Sequence, residues 1–304
     1  MALDLTGKVA VVTGAGSGIG RAIAAGAADR GMTVVLADLH EDRLSEAAAA
    51  ISAAGGNAHA VVTDVSDPAS VAELGRETAD RVGDVWLLVN NAGVFISSPF
   101  LEMSHSQWEF VLGVNLWGVV HGLQTFLPGM VGRRAGHVVN TASVDGLVTV
   151  ENAASYVASK HAVVGLSETV YRELSSAGSG VGVSVLCPGA VPTAILDAAP
   201  HWPSRLGTAP PPGPAPDAYP ELDEMMAPAR VADIVFDAVA RGEFWILTHR
   251  DQYAPAMRAR TEGAVSGHNP DDRSVDPNFR AERGRKPGNY GKEGNAVTRA
   301  SSGR

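Results

Sequence analysis

Cysteine is nearly absent: Cys187 is the single one in 304 residues. With no second thiol, an intrachain disulfide and any multi-cysteine metal site are excluded, and such usage suits a reducing compartment. Charge and aromatics are also sparse, at 19% and 6% of the chain. The nine histidines show neither an HExxH pattern nor a Cys/His cluster, so no structural metal is expected. No GxSxG elbow supports serine-hydrolase chemistry. No uninterrupted apolar run approaches ~20 residues, and Met1–Lys8 lacks a basic segment leading into an apolar one. A cytoplasmic protein with no membrane partner is the expectation. The formal net charge is −9, yet residues 250–304 hold 11 Lys/Arg against 7 Asp/Glu, a local +4 that leaves −13 on the remainder. An acidic body does not suit a phosphate backbone, so no nucleic-acid partner is expected.

What the chain does have is apolar residues, 45% of the total, in short β-rich runs separated by helical patterns. The runs are Val9–Val12, Thr33–Ala37, Ala58–Val62, Val85–Val89, Gly136–Asn140, Gly182–Leu186 and Phe244–Leu247. Strands alternating with helices predict an α/β fold, a Rossmann-type doubly wound parallel sheet of about seven strands with helices on both faces. Ser66-Asp67-Pro68 reads as a helix start, and Leu44, Ala47, Ala48 and Ile51 mark an apolar helix face that stops at Gly55-Gly56. Residues 1–250 are expected to form one catalytic domain. Within it, residues 193–227 are irregular and carry the proline-rich stretch Thr208–Pro216, either a substrate lid or an inert insertion. Residues 251–304 lack a sustained apolar period and are expected to be a largely disordered extension. Trp86, Trp108, Trp117 and Trp245 fall in or beside regular elements and read as packing residues, whereas Trp202 lies in the irregular segment, where it covers substrate or packs the lid.

Thr13-Gly14-Ala15-Gly16-Ser17-Gly18-Ile19-Gly20 follows the first strand and opens into a helical run. Glycines there let the backbone approach a pyrophosphate, and the helix start offers free N–H groups with a positive dipole end. The spacing, GxxxGxG through Gly14, Gly18 and Gly20, differs from the general GxGxxG fingerprint. Asp38 ends the second strand, 18 residues beyond Gly20, where a carboxylate accepts bonds from an adenosine ribose and repels a 2′-phosphate. NAD is thus favoured over NADP, with Arg21 and Arg43 left as alternative phosphate partners. The opposing reading of Asp38, a cap for the next helix, needs it to face away from the cofactor. Asp64-Val65 after the third strand can meet the adenine, and Asn90-Asn91-Ala92-Gly93 after the fourth lies at the ligand-binding edge of such sheets.

Tyr156 and Lys160 are four residues apart, on one face of a helix. An ammonium at that distance favours the phenolate, drawing a pKa of ~10 toward the working range of a general acid/base. Ser143 precedes the pair. Cys187, with no identifiable base, reads as a packed small residue.

Taken together, TGxxxGxG at 13–20, Asp64, NNAG at 90–93, Asn115, Ser143, YxxxK at 156–160 and Pro188-Gly189 resemble the short-chain dehydrogenase/reductase family in its compact single-domain branch, over roughly Leu5 to Thr248. The resemblance implies a nicotinamide cofactor and a homodimer or homotetramer. By the same resemblance, Tyr156 is the acid/base, Lys160 lowers its pKa and contacts the nicotinamide ribose, Ser143 orients the substrate oxygen, and Asn115 supports a water-linked proton path. Pro188, Gly189, Val191 and Thr193 correspond to the segment beside the nicotinamide, and Ser17 and Ile19 to the phosphate turn.

The expected function is an NAD-dependent oxidoreductase interconverting a secondary alcohol and a carbonyl compound. Phe95, Val144, Leu147, Ile195 and Trp202 suggest a hydrophobic small-molecule substrate. The rival readings are an NADPH-preferring carbonyl reductase, and a nucleotide-responsive regulatory protein without turnover. The complete proton-transfer set weighs against the second.

Overall fold

Seven short strands form one parallel sheet: β1 (Val9–Thr13), β2 (Thr33–Asp38), β3 (Asn57–Val62), β4 (Val85–Asn90), β5 (Gly136–Thr141), β6 (Val181–Cys187) and β7 (Trp245–Leu247). Their order is β3-β2-β1-β4-β5-β6-β7, and every neighbouring pair is parallel. The computed structural model describes residues 3–196, 199–209 and 225–270. Among the described residues eight α-helices surround the sheet: α1 (Gly18–Asp29), α2 (Glu41–Ala53), α3 (Pro68–Arg81), α4 (His105–Leu112), α5 (Gly118–Arg133), α6 (Ala154–Ser176), α7 (Pro228–Arg241) and α8 (Arg250–Ser266).

The alternation of side chains along each strand divides the core into two layers. Ala10 and Val12 of β1 face α1, α2 and α7, where Ile23, Leu44, Val235 and Phe236 pack. Val9 and Val11 face the opposite layer with Leu74 of α3, Phe126 and Met130 of α5, and Val163 of α6. Every residue of β1 and β5 is buried, as a sheet covered on both faces requires. Each large aliphatic side chain so enclosed contributes roughly 1.5–3 kcal/mol. Asp67 caps α3 by accepting from the Ala69 N–H at 2.9 Å, with Pro68 at the first turn.

Several polar residues inside the sheet pair through their side chains. Asn90 Nδ2 donates to Asn140 Oδ1 at 2.9 Å, and Asn140 Nδ2 donates to Ser167 Oγ at 3.0 Å, tying β4 and β5 to α6. Ser184 donates to the Glu243 carbonyl at 2.6 Å, so its oxygen accepts from His137 Nε2 at 2.8 Å.

Two expectations change. Helix α8 occupies residues assigned to a disordered extension; its single buried residue is Ala256, which is why no apolar period announces it. Residues 271–304, and most of the proline-rich stretch, lie outside the described residues. Trp117 and Trp245 are 53% and 36% exposed rather than packed inside, and Trp117 instead stacks on His121. The described part of the irregular segment holds three single 3₁₀ turns, Ala194–Leu196, Ala199–His201 and Ser204–Leu206.

The run His105–Arg133 is long and apolar enough to cross a membrane by length and composition. Here it is broken by a π-turn at Gly113–Trp117, and the part beyond the turn packs Leu123, Phe126 and Met130 into the core.

The strand order reverses between β1 and β4. Ligands of such sheets bind outside the carboxyl ends at this switch point, and the glycine turn, the NNAG turn and Ser143 all lie there.

Candidate active site

The switch point is built first by Thr13. Its Oγ1 accepts from the N–H groups of Asn91 at 2.9 Å and Ala92 at 3.1 Å, while Asn91 Nδ2 donates to the Thr13 carbonyl at 3.1 Å. The two turns therefore form one rigid unit. Their glycines are needed for contact: a Cβ on Gly14 would lie 2.9 Å from Ala92 Cα, and one on Gly20 would lie 2.1 Å from the Gly14 carbonyl oxygen. Gly14 and Gly18 also hold φ of 65° and 51°, a region that L side chains rarely enter. Ser17 at the start of α1 makes no side-chain cap, and no acidic residue occupies the first turn. The positive helix end is left for an external anion, as a pyrophosphate site requires.

Asp38 faces this turn. Its Oδ2 accepts from the Gly16 N–H at 2.9 Å and its Oδ1 from the His40 N–H at 3.1 Å, so it does not turn away as a simple helix cap would. Asp64 is more self-contained, its Oδ1 accepting from Ser66 N–H and Oγ at 2.9 and 2.7 Å. Val65 is buried and its carbonyl accepts from His121 Nδ1 at 2.9 Å.

The other half of the site gathers Asn115, Ser143, Tyr156 and Lys160. Asn115 sits in the π-turn, completely buried, and such turns widen a helix at functional positions. Its Oδ1 accepts from the Val94 N–H at 2.8 Å; its Nδ2 donates to the Val94 carbonyl and to Ser159 Oγ, both at 3.0 Å. Ser159 in turn donates to the Tyr156 carbonyl at 2.7 Å. Asn115 thus joins the NNAG turn to the first turn of α6. Gly93 closes the gap, since a Cβ there would lie 3.4 Å from Lys160 Nζ and 3.5 Å from Asn115 Oδ1.

Ser143 follows β5 and its Oγ accepts from the Asp145 N–H at 3.1 Å; the same hydroxyl is near enough to the Tyr156 phenol to favour its ionised form. Phe95 meets the Tyr156 ring edge-on, with centroids 5.0 Å apart. Lys160 is 2% exposed and donates to the Thr141 carbonyl at 3.0 Å. Burial holds the Tyr156 phenol above its ordinary value; the Asp145 carboxylate adds to this, and the neighbouring Ser143 hydroxyl opposes it. The expectation that Lys160 draws the phenol down is therefore not met. Nζ is directed to Thr141 and lies 5.6 Å from the ring centroid. Lys160 itself is lowered to about 8 by burial. Cys187 is fully buried and its thiol is pushed up to about 12, chiefly by desolvation, as suits a packed residue.

Pro188–Thr193 spans the two halves. The Pro188 carbonyl accepts from the Val144 N–H at 3.0 Å, and the Thr193 methyl lies 2.7 Å from where a Gly18 Cβ would be. Trp202 packs beside Val94, Ile96 and Phe110, its ring centroid 5.1 Å from that of Phe110, so it anchors the irregular segment over this end. Sequence reasoning placed Thr13 in the glycine motif without giving its hydroxyl a role, and missed Thr141, which acts through its carbonyl, and Ser159, which acts through its hydroxyl; none of these contacts has a spacing signature. A buried phenol beside a serine hydroxyl and an ammonium can move a proton to or from an oxygen held at Ser143.

A sequence model of the short chain dehydrogenase family matches residues 8–204. The chain belongs to the short-chain dehydrogenase/reductase family. It is 42% identical to a short-chain dehydrogenase/reductase from Burkholderia phymatum solved in complex with NAD, with a TM-score of 0.83 over 89% of this chain and 98% of that one. It is 36% identical over 252 residues to the 1-deoxy-11-beta-hydroxypentalenate dehydrogenase of Streptomyces avermitilis, covering 82% of this chain and 87% of that protein. A CLA biosynthesis dehydrogenase/reductase from Lactiplantibacillus plantarum is 31% identical over 282 residues, covering 90% and 98%. An oxidoreductase of this family, with its nucleotide-binding sheet, is therefore in hand.

Proposed function

We propose that this short-chain dehydrogenase/reductase uses NAD to interconvert a hydrophobic secondary alcohol and its ketone, with Tyr156 as the acid/base. The carrying observation is the burial of Ser143, Tyr156 and Lys160 together, with Lys160 Nζ 5.6 Å from the Tyr156 ring centroid. The chain's residues fit the cofactor: the uncapped start of α1 with Gly14, Ser17, Gly18, Ile19 and Gly20 suits the pyrophosphate. Asp38, turned toward the same loop, suits the adenosine ribose and disfavours a 2′-phosphate. Asp64 and Val65 would flank the adenine, and Asn91, Ala92, Gly93, Pro188, Gly189, Val191 and Thr193 the nicotinamide side. Bound there, NAD supplies the hydride acceptor for alcohol oxidation, and NADH the donor for the reverse.

The proteins's own groups handle the proton. A phenol held above its ordinary value by burial is protonated at neutral pH, which suits donation to a carbonyl oxygen; alcohol oxidation gains as pH rises. Ser143 donates to the substrate oxygen and orients it. Asn115 fixes the helix turn that carries Tyr156. Phe95 on the phenol, with the Val94, Ile96, Phe110 and Trp202 cluster, supports a hydrophobic substrate. The proposal includes a cytoplasmic homo-oligomer; exposed Phe100, Leu101 and Trp117 support the association, which sedimentation velocity tests.

The test is NADH formation across a panel of hydrophobic secondary alcohols, with NADP in parallel and Tyr156→Phe as control. That variant should bind NAD normally and lose turnover by about 10²-fold or more. Wild-type turnover in Tyr156→Phe would sink the mechanism.

A further inference from the structure

We infer that His249 is a positioning residue for the nicotinamide half of the cofactor site, which makes the corner between β7 and α8 a working part of the catalytic domain. The inference rests on the cofactor reading above. Pro188–Thr193 is the strap that joins the two halves of the site, held at one end beside Ser143 and at the other against Gly18. Its second residue, Gly189, is held from outside. The Gly189 N–H is shared between Thr248 Oγ1 at 3.1 Å and His249 Nδ1 at 3.2 Å, and the Thr248 hydroxyl lies 2.6 Å from the same Nδ1.

A backbone N–H only donates, so Nδ1 is an acceptor and the neutral ring carries its proton on Nε2. That Nε2 is enclosed and has no hydrogen-bond partner among the described residues. A ring that merely filled space would turn to satisfy it, because an enclosed unpaired donor is destabilising. This ring holds Gly189 instead. The glycine answers to the same corner: a Cβ on Gly189 would lie 2.7 Å from His249 Nδ1 and 2.9 Å from Tyr253 Cε2. Its φ lies outside the left-handed range, so close approach rather than backbone conformation demands glycine here. The corner therefore sets both where the strap begins and how near it lies to the sheet edge. Gly189 sits at the end of the strap far from Gly18, so its position bears on the nicotinamide more than on the adenosine end, which Asp38 holds from the glycine turn.

The experiment is calorimetric titration of the full-length protein with NADH and, separately, with ADP-ribose, which lacks the nicotinamide. His249→Ala should weaken NADH binding about tenfold, the scale of one lost hydrogen bond, and leave ADP-ribose within about twofold. His249→Asn, whose Oδ1 takes the place of Nδ1 as acceptor, should restore most of the NADH affinity. Unchanged NADH binding in His249→Ala, parallel loss of both ligands, or no rescue by His249→Asn would overturn the inference. Wild-type protein that binds NADH no better than ADP-ribose, or binds neither, would instead remove the cofactor reading beneath it.

Discussion

Replacing Lys160 by methionine should make the protein more stable and, by removing the group that the family resemblance sets against the nicotinamide ribose, inactive. The ammonium is 2% exposed and its pKa falls from 10.5 to about 8 because burial disfavours the charge. At ~1.4 kcal/mol per unit, holding it charged at pH 7 destabilises the fold by about 3 kcal/mol. Lys160→Met keeps an unbranched stem of similar volume and loses the bond to the Thr141 carbonyl, worth about 1 kcal/mol. The net gain is about 2 kcal/mol at pH 7. A lysine whose folded pKa is depressed destabilises in full below that value; the effect fades as pH rises toward the unfolded value. The advantage of the variant should therefore shrink between pH 8 and 10.5. Urea unfolding followed by far-UV circular dichroism at pH 7 and pH 10 measures both numbers. A variant less stable than wild type at pH 7, or an advantage that grows toward pH 10, would refute the reasoning. If the variant is more stable yet inactive, the buried charge is retained for chemistry rather than for folding.

Acid stability should depend on His137, whose pKa burial lowers from 6.5 to about 4. The unfolded chain binds the extra proton across that window, so wild type loses about 3 kcal/mol between pH 6.5 and 4; His137→Gln, which keeps a donor toward Ser184, should lose that much less in urea titrations, and parallel curves would count against it. Gly20→Ala should abolish NAD binding by calorimetry, since its Cβ would fall 2.1 Å from a backbone oxygen of the glycine turn; retained affinity would show that the turn yields. Asp38→Ala should narrow the ratio of NAD to NADP affinity by about tenfold, and an unchanged ratio would remove Asp38 from cofactor selection.

The strands were legible because β-branched runs in a doubly covered sheet need no alternation, and the runs match the observed β1–β7 to within a residue or so at their ends. Tyr156 and Lys160 were legible as a helical pair, Gly14 to Gly20 as a turn opening a helix. Other features left no local mark. Helix α8 buries only Ala256, so its pattern looked structureless, and no motif singled out His249 just before it. The pairing of Asn115 with Val94 and Ser159 depends on a π-turn that no residue spacing announces. The direction of the Tyr156 shift is set by desolvation, a property of everything packed around the ring, whereas sequence shows only the neighbour four residues away.

That π-turn makes the protein intolerant of a particular kind of evolutionary change. Gly113–Trp117 places an extra residue between α4 and α5, and each residue of an α-helix turns the chain by about 100°. Deleting one residue there to restore regular winding would swing Leu123, Phe126 and Met130 off the sheet, while deleting Asn115 itself would also unfasten the turn bearing Tyr156. Point substitutions in this helix can be sampled one at a time, but its length cannot drift: the reading frame of the helix surface is locked at both ends, by the core on one side and by the reacting groups on the other.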